Sequence, residues 1–199
     1  VGTSFMAQKL LHYDVLERLG EGARSTIYAV RDPDTGKIFA LKHVVRAEQK
    51  DIRFIAQMET EYEIYRQFTH PNLRKSYELK INKTMLLKTA EAFLLMELVD
   101  GKPLDVRLPS QMIDIVDTFI QAAQGLKAMH AMCYAHCDIK PNNILRNDQG
   151  VVKIIDFGQS CKIGTVKERI QGTPDYIAPE QVSRRPISVA GRLRSDSAP

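Results

Sequence analysis

Between Tyr13 and about Val45 the chain alternates short apolar runs with turn residues. Val15-Leu16-Glu17-Arg18-Leu19 runs into Gly20 and Gly22, Ile27-Tyr28-Ala29-Val30 into Asp32-Pro33-Asp34-Thr35-Gly36, and Ile38-Phe39-Ala40-Leu41 into Lys42. Strand-sized runs with Gly and Pro-Asp punctuation predict an antiparallel meander. The period then changes. Across residues 51–68, Ile55, Met58, Tyr62, Tyr65 and Phe68 recur at three- and four-residue steps, the spacing of one helix face, and His70-Pro71-Asn72 closes the stretch. Tyr77–Ile81 and Ala92–Val99 read as two further strands, with Asp100-Gly101-Lys102-Pro103 as a turn or linker. Helical spacing returns between Gln111 and Met132, where Ile113, Val116, Ile120, Ala123, Leu126 and Met129 form the stripe expected to pack. Ile144-Leu145 and Val151–Ile155 flank Asn147-Asp148-Gln149-Gly150 as a hairpin. Strands first and helices after, divided near Asp100, predict an α+β chain of two lobes. Residues 13–99 form a small antiparallel sheet lobe with one helix, and residues 100–181 a mainly helical lobe.

Composition changes this picture little. The chain has 199 residues, of which 44% are apolar and 26% charged, which excludes collagen-like, disordered and coiled-coil classes. The longest apolar run, Ala92 to Met96, is five residues, against the roughly 20 needed to cross a bilayer, so no membrane segment is expected. The first dozen residues lack the basic-then-apolar pattern of a secretory signal. The chain reads as cytoplasmic and, beginning at Val1 without Met, as a fragment. The net charge of +4 is concentrated near the end, where Arg184, Arg185, Arg192 and Arg194 stand against Asp196 alone. The nearly neutral remainder makes no case for a nucleic-acid partner. Cys133, Cys137 and Cys161 have no paired CxxC spacing and read as three reduced thiols.

Three stretches carry chemistry. Leu19-Gly20-Glu21-Gly22-Ala23-Arg24-Ser25-Thr26-Ile27 puts two glycines and a small residue between strands. An ordinary hairpin explains them, since glycine is the default at positive φ. A loop whose bare backbone closes over a polyphosphate and offers it N–H groups explains them equally. Next, Ala40-Leu41-Lys42 ends an apolar strand on a lysine, by itself a solvated edge residue, while the helix after it offers Glu59, Glu61 and Glu63. Glu59 and Glu63 lie about 200° round the helix from Glu61, so at most one of the three reaches Lys42, and Glu61 is the choice. The densest stretch is His136-Cys137-Asp138-Ile139-Lys140-Pro141-Asn142-Asn143-Ile144-Leu145, followed by Asp156-Phe157-Gly158.

With Gly20, Gly22, Lys42 and Glu61 before it and Ala178-Pro179-Glu180 after it, this order resembles the protein kinase family from about Tyr13 to Gln181. The resemblance implies a protein-kinase-like two-lobed fold. It also implies transfer of the ATP γ-phosphate to Ser or Thr hydroxyls of a protein substrate. Such transfer asks for little covalent work and much charge neutralisation. By the resemblance Asp138 accepts the hydroxyl proton, Asn143 and Asp156 hold Mg²⁺, which suits their hard oxygens, and Lys42 grips the phosphates with Glu61 behind it. Lys140 looks like the extra cation of serine/threonine kinases. Residues 172–180 look like the end of an activation segment, with Thr173 near the reacting hydroxyl. For ATP, Gly20, Gly22 and Ser25 would cover the phosphates, and Ile27, Ala40, Leu145 and Ile155 would wall the ring. Met96 would stand at the back of the adenine pocket, and Glu97, Leu98 and Val99 would be the strand whose backbone reads adenine. Ordinary core packing accounts for part of each apolar side chain in any case.

Two departures bear on activity. Cys137 stands where the family pattern has an Arg that clamps an activation-loop phosphate, so phosphorylation at Ser160, Thr165 or Thr173 has no partner from this motif. Its thiol reads as a small buried hydrophobe in preference to a redox handle. Family members also continue past Ala178-Pro179-Glu180 with more helices, where this chain has a tail, 182–199, with the Ser/Arg/Pro bias of a disordered segment. The expectation is a truncated kinase domain with Glu180 unpaired, the apolar underside of helix 111–132 uncovered and the helical lobe loose. Two other functions fit the sequence less well. A nucleotide-binding module without turnover is opposed by the complete set Lys42, Glu61, Asp138, Asn143 and Asp156, and a small-molecule phosphotransferase by residues 172–180.

Overall fold

The computed structural model of the protein describes residues 8–22, 24–67, 69–83 and 89–189, with Thr89 and Ala90 as backbone only. Ala23, Phe68 and residues 190–199 of the expected tail lie outside the described residues. Two compact units result. One holds the described residues up to Tyr62 together with Lys75–Leu98, and the other holds Glu63–Arg74 together with the described residues from Val99 onward.

In the first unit the alternating runs become β1 (Lys9–Leu10), β2 (Tyr13–Glu21), β3 (Ser25–Arg31), β4 (Ile38–Val45), β5 (Ser76–Lys83) and β6 (Thr89–Met96). They form one antiparallel sheet in the order β1-β2-β3-β4-β6-β5. Successive side chains point to opposite faces of a strand, and both faces of β4 and β6 are covered. Ala40, Val44, Ala92, Leu94 and Met96 pack with Ile55 and Met58 of helix α1 (Ile52–Gln67). Leu41, Phe93 and Leu95 pack with Tyr13 and Val30. Two covered faces explain why β4 and β6 read as nearly continuous apolar runs. The expected strand 92–99 stops early, at Met96, because the Glu97 N–H donates to the Lys75 carbonyl at 2.8 Å and the Glu97 carboxylate accepts from the Lys75 N–H at 3.0 Å. A 3₁₀ turn, Gln49–Asp51, leads into α1, and the buried Asp51 carboxylate accepts the N–H groups of Glu48 at 2.8 Å and Ala47 at 3.1 Å. These bonds, Glu48's first, outweigh burial and with Arg24 hold the Asp51 carboxyl below the ordinary aspartate range.

The second unit is built round α2 (Met112–Ala131). Short strands surround it: β7 (Lys102–Pro103), β8 (Tyr134–Ala135), β9 (Ile144–Arg146), β10 (Val152–Ile154) and β11 (Cys161–Lys162). The hairpin expected round Asn147–Gly150 is β9–β10. Lys102 and Pro103, expected in a turn, pair with Arg146 and Leu145 as a third strand. From the expected stripe the buried face of α2 takes only Met129, with Leu126 beside it, and most of the remainder is uncovered, as expected of the underside. Thr118, Ala122, Gly125 and Met129 are buried, whereas Ile113 is 71%, Ile120 50% and Phe119 58% exposed. Close approach is the reason, since a Cβ on Gly125 would stand 3.1 Å from Leu73 Cδ2 and 3.3 Å from the Asn72 carbonyl oxygen and Ile154 Cδ1. Only small side chains fit there, and Leu73, Leu104, Met129, Ile144, Val152, Ile154 and Phe157 fill the core beside them.

Part of the stretch expected as a disordered tail is ordered. After α3 (Pro179–Val182), Ile187 is buried, its N–H donates to the Thr165 carbonyl at 3.0 Å, and its carbonyl accepts from Gly164 at 2.8 Å. Glu180, expected unpaired, accepts the Ser188 hydroxyl at 3.2 Å. Among the described residues no helix is long and apolar enough to cross a membrane.

Candidate active site

In the first unit the glycine stretch is the β2–β3 hairpin. Gly20 pairs with Ile27, and the Gly22 N–H donates to the Ser25 carbonyl at 2.7 Å. A Cβ on Gly22 would come within 2.9 Å of Ser25 Oγ, whereas one on Gly20 would meet nothing within 4 Å. Lys42 sits on β4 opposite Leu94 of β6, and its ammonium lies 3.0 Å from Glu61 Oε2, with Lys42 13% and Glu61 0% exposed. Glu59 and Glu63 are exposed, and Glu63 pairs with Arg66. Glu61, the acid expected from helical rotation, is thus the one that meets Lys42. Ile27, Ala40, Met96 and Leu98 share one apolar cluster, in which Ala40 faces Met96 across β4–β6. Met96 is fully buried against Ile55 and Met58 and so serves as core. Glu97 and Leu98 follow the end of β6 rather than continuing the strand. Val99, Leu145 and Ile155 belong to the second unit and are half-buried.

In the second unit the catalytic-loop residues converge through hydrogen bonds. The Asp138 N–H donates to His136 Nδ1 at 3.3 Å. That fixes the imidazole proton on Nε2, which donates to the Ile155 carbonyl at 3.1 Å. His136 is buried, with the Phe157 ring edge-on to it at 5.4 Å. On the carboxylate of Asp138, Oδ1 accepts the Thr173 N–H at 3.2 Å and the Thr173 hydroxyl at 3.1 Å. Lys140 Nζ lies 3.1 Å from Oδ2 and donates to Thr173 Oγ1 at 2.9 Å. Three residues expected to act together thus share one cluster of charge and hydroxyl.

Asn143 Nδ2 donates to the Asp138 carbonyl at 2.8 Å and to Asp138 Oδ2 at 3.2 Å, which leaves Oδ1 on the other branch of the amide as a hard oxygen donor. The Ile155 N–H donates to the Asn143 carbonyl at 2.9 Å, which ties the residue before Asp156 to Asn143. Asp156 itself has φ 63° and Cys137 has φ 63°, left-handed conformations that side chains other than glycine seldom adopt. Among the described residues no group of three His, Cys, Asp or Glu side chains forms a metal site of its own. One amide oxygen and one carboxylate nonetheless fit Mg²⁺, which takes few protein ligands and completes its shell with water and phosphate oxygens.

Gln181 is a functional residue that no sequence motif marks. Its buried amide donates to the Cys137 carbonyl at 3.0 Å and to the Gln171 carbonyl at 2.9 Å, while its oxygen accepts the Ala178 N–H at 3.3 Å. One side chain thereby holds the loop before Asp138 to the segment that carries Thr173. The signal for it is its place directly after Ala178-Pro179-Glu180, which gives position but not contact.

Comparison with known proteins gives this geometry a lineage. The chain is 35% identical over 187 residues to Aurora kinase of Saccharomyces cerevisiae, covering 91% of this chain and 49% of that protein. It is 30% identical over 196 residues to death-associated protein kinase 2 of Mus musculus, covering 92% of this chain and 51% of that protein. With serine/threonine-protein kinase 36 of Pongo abelii it shares 32% over 191 residues, covering 92% of this chain and 14% of that protein. The chain thus spans about half the length, or less, of these curated relatives. The sequence profile of the protein kinase domain matches residues 13–191. Because that match takes in the glycine hairpin, the Lys42–Glu61 pair and the whole network round Asp138, the chain belongs to the protein kinase domain family.

Proposed function

We propose that this chain is the catalytic part of a protein serine/threonine kinase that uses ATP and Mg²⁺. The observation that carries the reading is the Thr173 hydroxyl donating to Asp138 at 3.1 Å with the Lys140 ammonium 2.9 Å away. A carboxylate that holds one alcohol between itself and a cation has the chemistry to receive a Ser or Thr hydroxyl of a protein. Kinase domains act on proteins as a family, and the names of all three relatives above contain "kinase".

In this reading Asp138 orients the acceptor hydroxyl and takes its proton at the carboxylate as the oxygen attacks phosphorus. His136 and Asn143 keep that carboxylate in place, and Lys140 supplies positive charge beside the transferred phosphoryl group. Lys42, braced by Glu61, presents its ammonium to the ATP phosphates, and the Gly20–Ser25 hairpin lies over them. Ile27, Ala40 and Leu98 would contribute apolar surface to adenine from the first unit, with backbone groups of Glu97 and Leu98 reading its edge. Asn143 Oδ1 and the Asp156 carboxylate would hold Mg²⁺, which when bound neutralises the phosphates. The test is γ-phosphate transfer from Mg-ATP to matched peptides bearing Ser, Thr or Tyr. Label should appear on Ser and Thr, and Asp138→Asn should lower the rate by about 10²–10⁴. Equal rates for the two proteins, or label on free alcohols and never on peptides, would overturn the proposal.

A further inference from the structure

Cys137 and Cys161 lie 24 residues apart in sequence, yet their sulfurs stand 3.6 Å apart. The neighbouring backbone fixes this approach. Cys161 is paired with Ala135 across β8–β11, and the Ser160 hydroxyl donates to the His136 carbonyl at 3.2 Å. On the other side Gln181 holds the Cys137 carbonyl at 3.0 Å. Both thiols are half-buried, whereas Cys133 is exposed. Cys137 also lines a cavity of about 220 Å³ together with Leu126, His130, Ile139, Tyr176 and Ile187, room for solutes larger than a water, whose share of liquid volume is about 30 Å³.

We propose that Cys137 and Cys161 are a reversible redox pair, which hydrogen peroxide oxidises to a disulfide joining the catalytic loop to the start of the activation segment. The sulfurs must close from 3.6 Å to the S–S bond length of about 2.05 Å, a shift within reach of side-chain rotation and small loop movement. The two thiols also differ in acidity. The hydrogen bond from the Cys137 thiol, opposed by burial and aided by the Lys167 ammonium and the Thr165 hydroxyl, brings the Cys161 thiol down to about 7. The same hydrogen bond, together with burial, pushes the Cys137 thiol up. Cys161 is therefore the attacking sulfur.

Its thiolate attacks one peroxide oxygen, the O–O bond breaks, and the departing hydroxide takes a proton to leave as water. Cys137 then loses its proton and attacks the sulfenic sulfur of Cys161, the S–O bond breaks, and a second water leaves. Two thiols have lost two electrons and one peroxide has become two waters. A dithiol reductant reverses the reaction through a mixed disulfide. Because Cys137 adjoins Asp138, the new bond displaces the loop that holds the carboxylate, and phosphoryl transfer should slow. That last effect rests on the proposed kinase reading, whereas the disulfide does not.

The experiment uses the full chain, reduced, then treated with hydrogen peroxide under native conditions. Free thiols are counted after denaturation and the bridge is located by peptide mass. The count should fall from the three in the sequence to one, at Cys133, with a Cys137–Cys161 linked peptide, and dithiothreitol should restore all three. Cys133→Ser should fall from two thiols to none while remaining a monomer. In Cys137→Ser, dimedone should trap a sulfenic acid on Cys161. Three surviving thiols, a bridge through Cys133, or overoxidised Cys161 beside an intact Cys137 thiol would each overturn the pair. Peptide phosphorylation should fall severalfold on oxidation and recover on reduction, and an unchanged rate with the bridge present would refute the switch. Transfer absent from both forms would count against the kinase reading and leave the bridge, read by mass, standing.

Discussion

Two lysine–carboxylate pairs of nearly equal length, Lys42–Glu61 at 3.0 Å and Lys140–Asp138 at 3.1 Å, are held by opposite means. Glu61 projects from a helix and Lys42 from a strand, and the elements that carry them are locked by the cluster of Ala40, Val44, Ile55 and Met58. Asp138 and Lys140 lie on neither helix nor strand, and hydrogen bonds from Asn143 and Thr173, with the His136 contact at the backbone, take the place of packing. A charge held by packing is tied to the stability of its unit. A charge held by a polar network is free to be tuned for chemistry at little cost to the core. Substitutions in the two pairs should therefore fail differently.

The largest separation is expected at Asp138→Asn. Transfer should drop by about 10²–10⁴, while thermal melting stays close to that of the parent, because the amide retains shape and its oxygen still accepts both Thr173 bonds. A melting loss as large as the activity loss would erase the contrast. Next comes Lys42→Met, which leaves the Glu61 carboxylate, 0% exposed, without its ammonium. Breaking a buried pair by removing one member costs about 3–5 kcal/mol, readable by urea unfolding, and the double variant Lys42→Met/Glu61→Leu should lose less than the single one. Failure of the second change to rescue would show that packing is not what holds this pair.

A smaller effect is expected from Gly125→Ala in α2. Helix propensity favours alanine by about 1 kcal/mol, but the new Cβ would lie 3.3 Å from the Asn72 carbonyl oxygen. That oxygen accepts the Ile154 N–H at 2.8 Å and has no freedom to retreat. Overpacking of about 1–3 kcal/mol should win, for a net loss of about 1 kcal/mol by chemical denaturation, and a gain would show that α2 shifts easily. The mildest effect concerns acid. Asp51, held below the ordinary aspartate range by the Glu48 N–H and its neighbours, stabilises the first unit at neutral pH. That contribution is complete above about pH 4 and fades as pH falls through the lowered native value. Acid titration of stability should be shallower in Asp51→Asn, and identical slopes would remove Asp51 from the account.

The same contrast separates what could be read in the sequence from what could not. Lys42 and Glu61 were legible because helical rotation allows only one of three acids to face a given strand. The roles expected of Asp138, Asn143 and Asp156 came from resemblance, since a loop built on polar contacts has no period to read. On α2, periodicity marks which side is apolar, and most of that side is the expected uncovered underside. Periodicity does not report which side is thin enough for close approach, and Thr118, Ala122 and Gly125 are quiet residues in a hydrophobicity pattern. Gln181 acts through an amide on two backbone carbonyls, which no side-chain pattern marks. Cys137 and Cys161 meet only because a two-residue ladder, β8–β11, brings distant segments side by side.

The left-handed backbone at Cys137 and Asp156 sets a direction for the drift of this sequence. Glycine occupies φ near 63° without penalty, whereas other residues held in such regions cost about 1–3 kcal/mol each. Under laboratory selection for heat resistance alone, both codons should therefore move toward glycine, giving sturdier descendants that lack a carboxylate at one position and a thiol at the other. Retention of Asp156 and Cys137 in lineages also selected for activity would measure how much thermal robustness those two side chains displace.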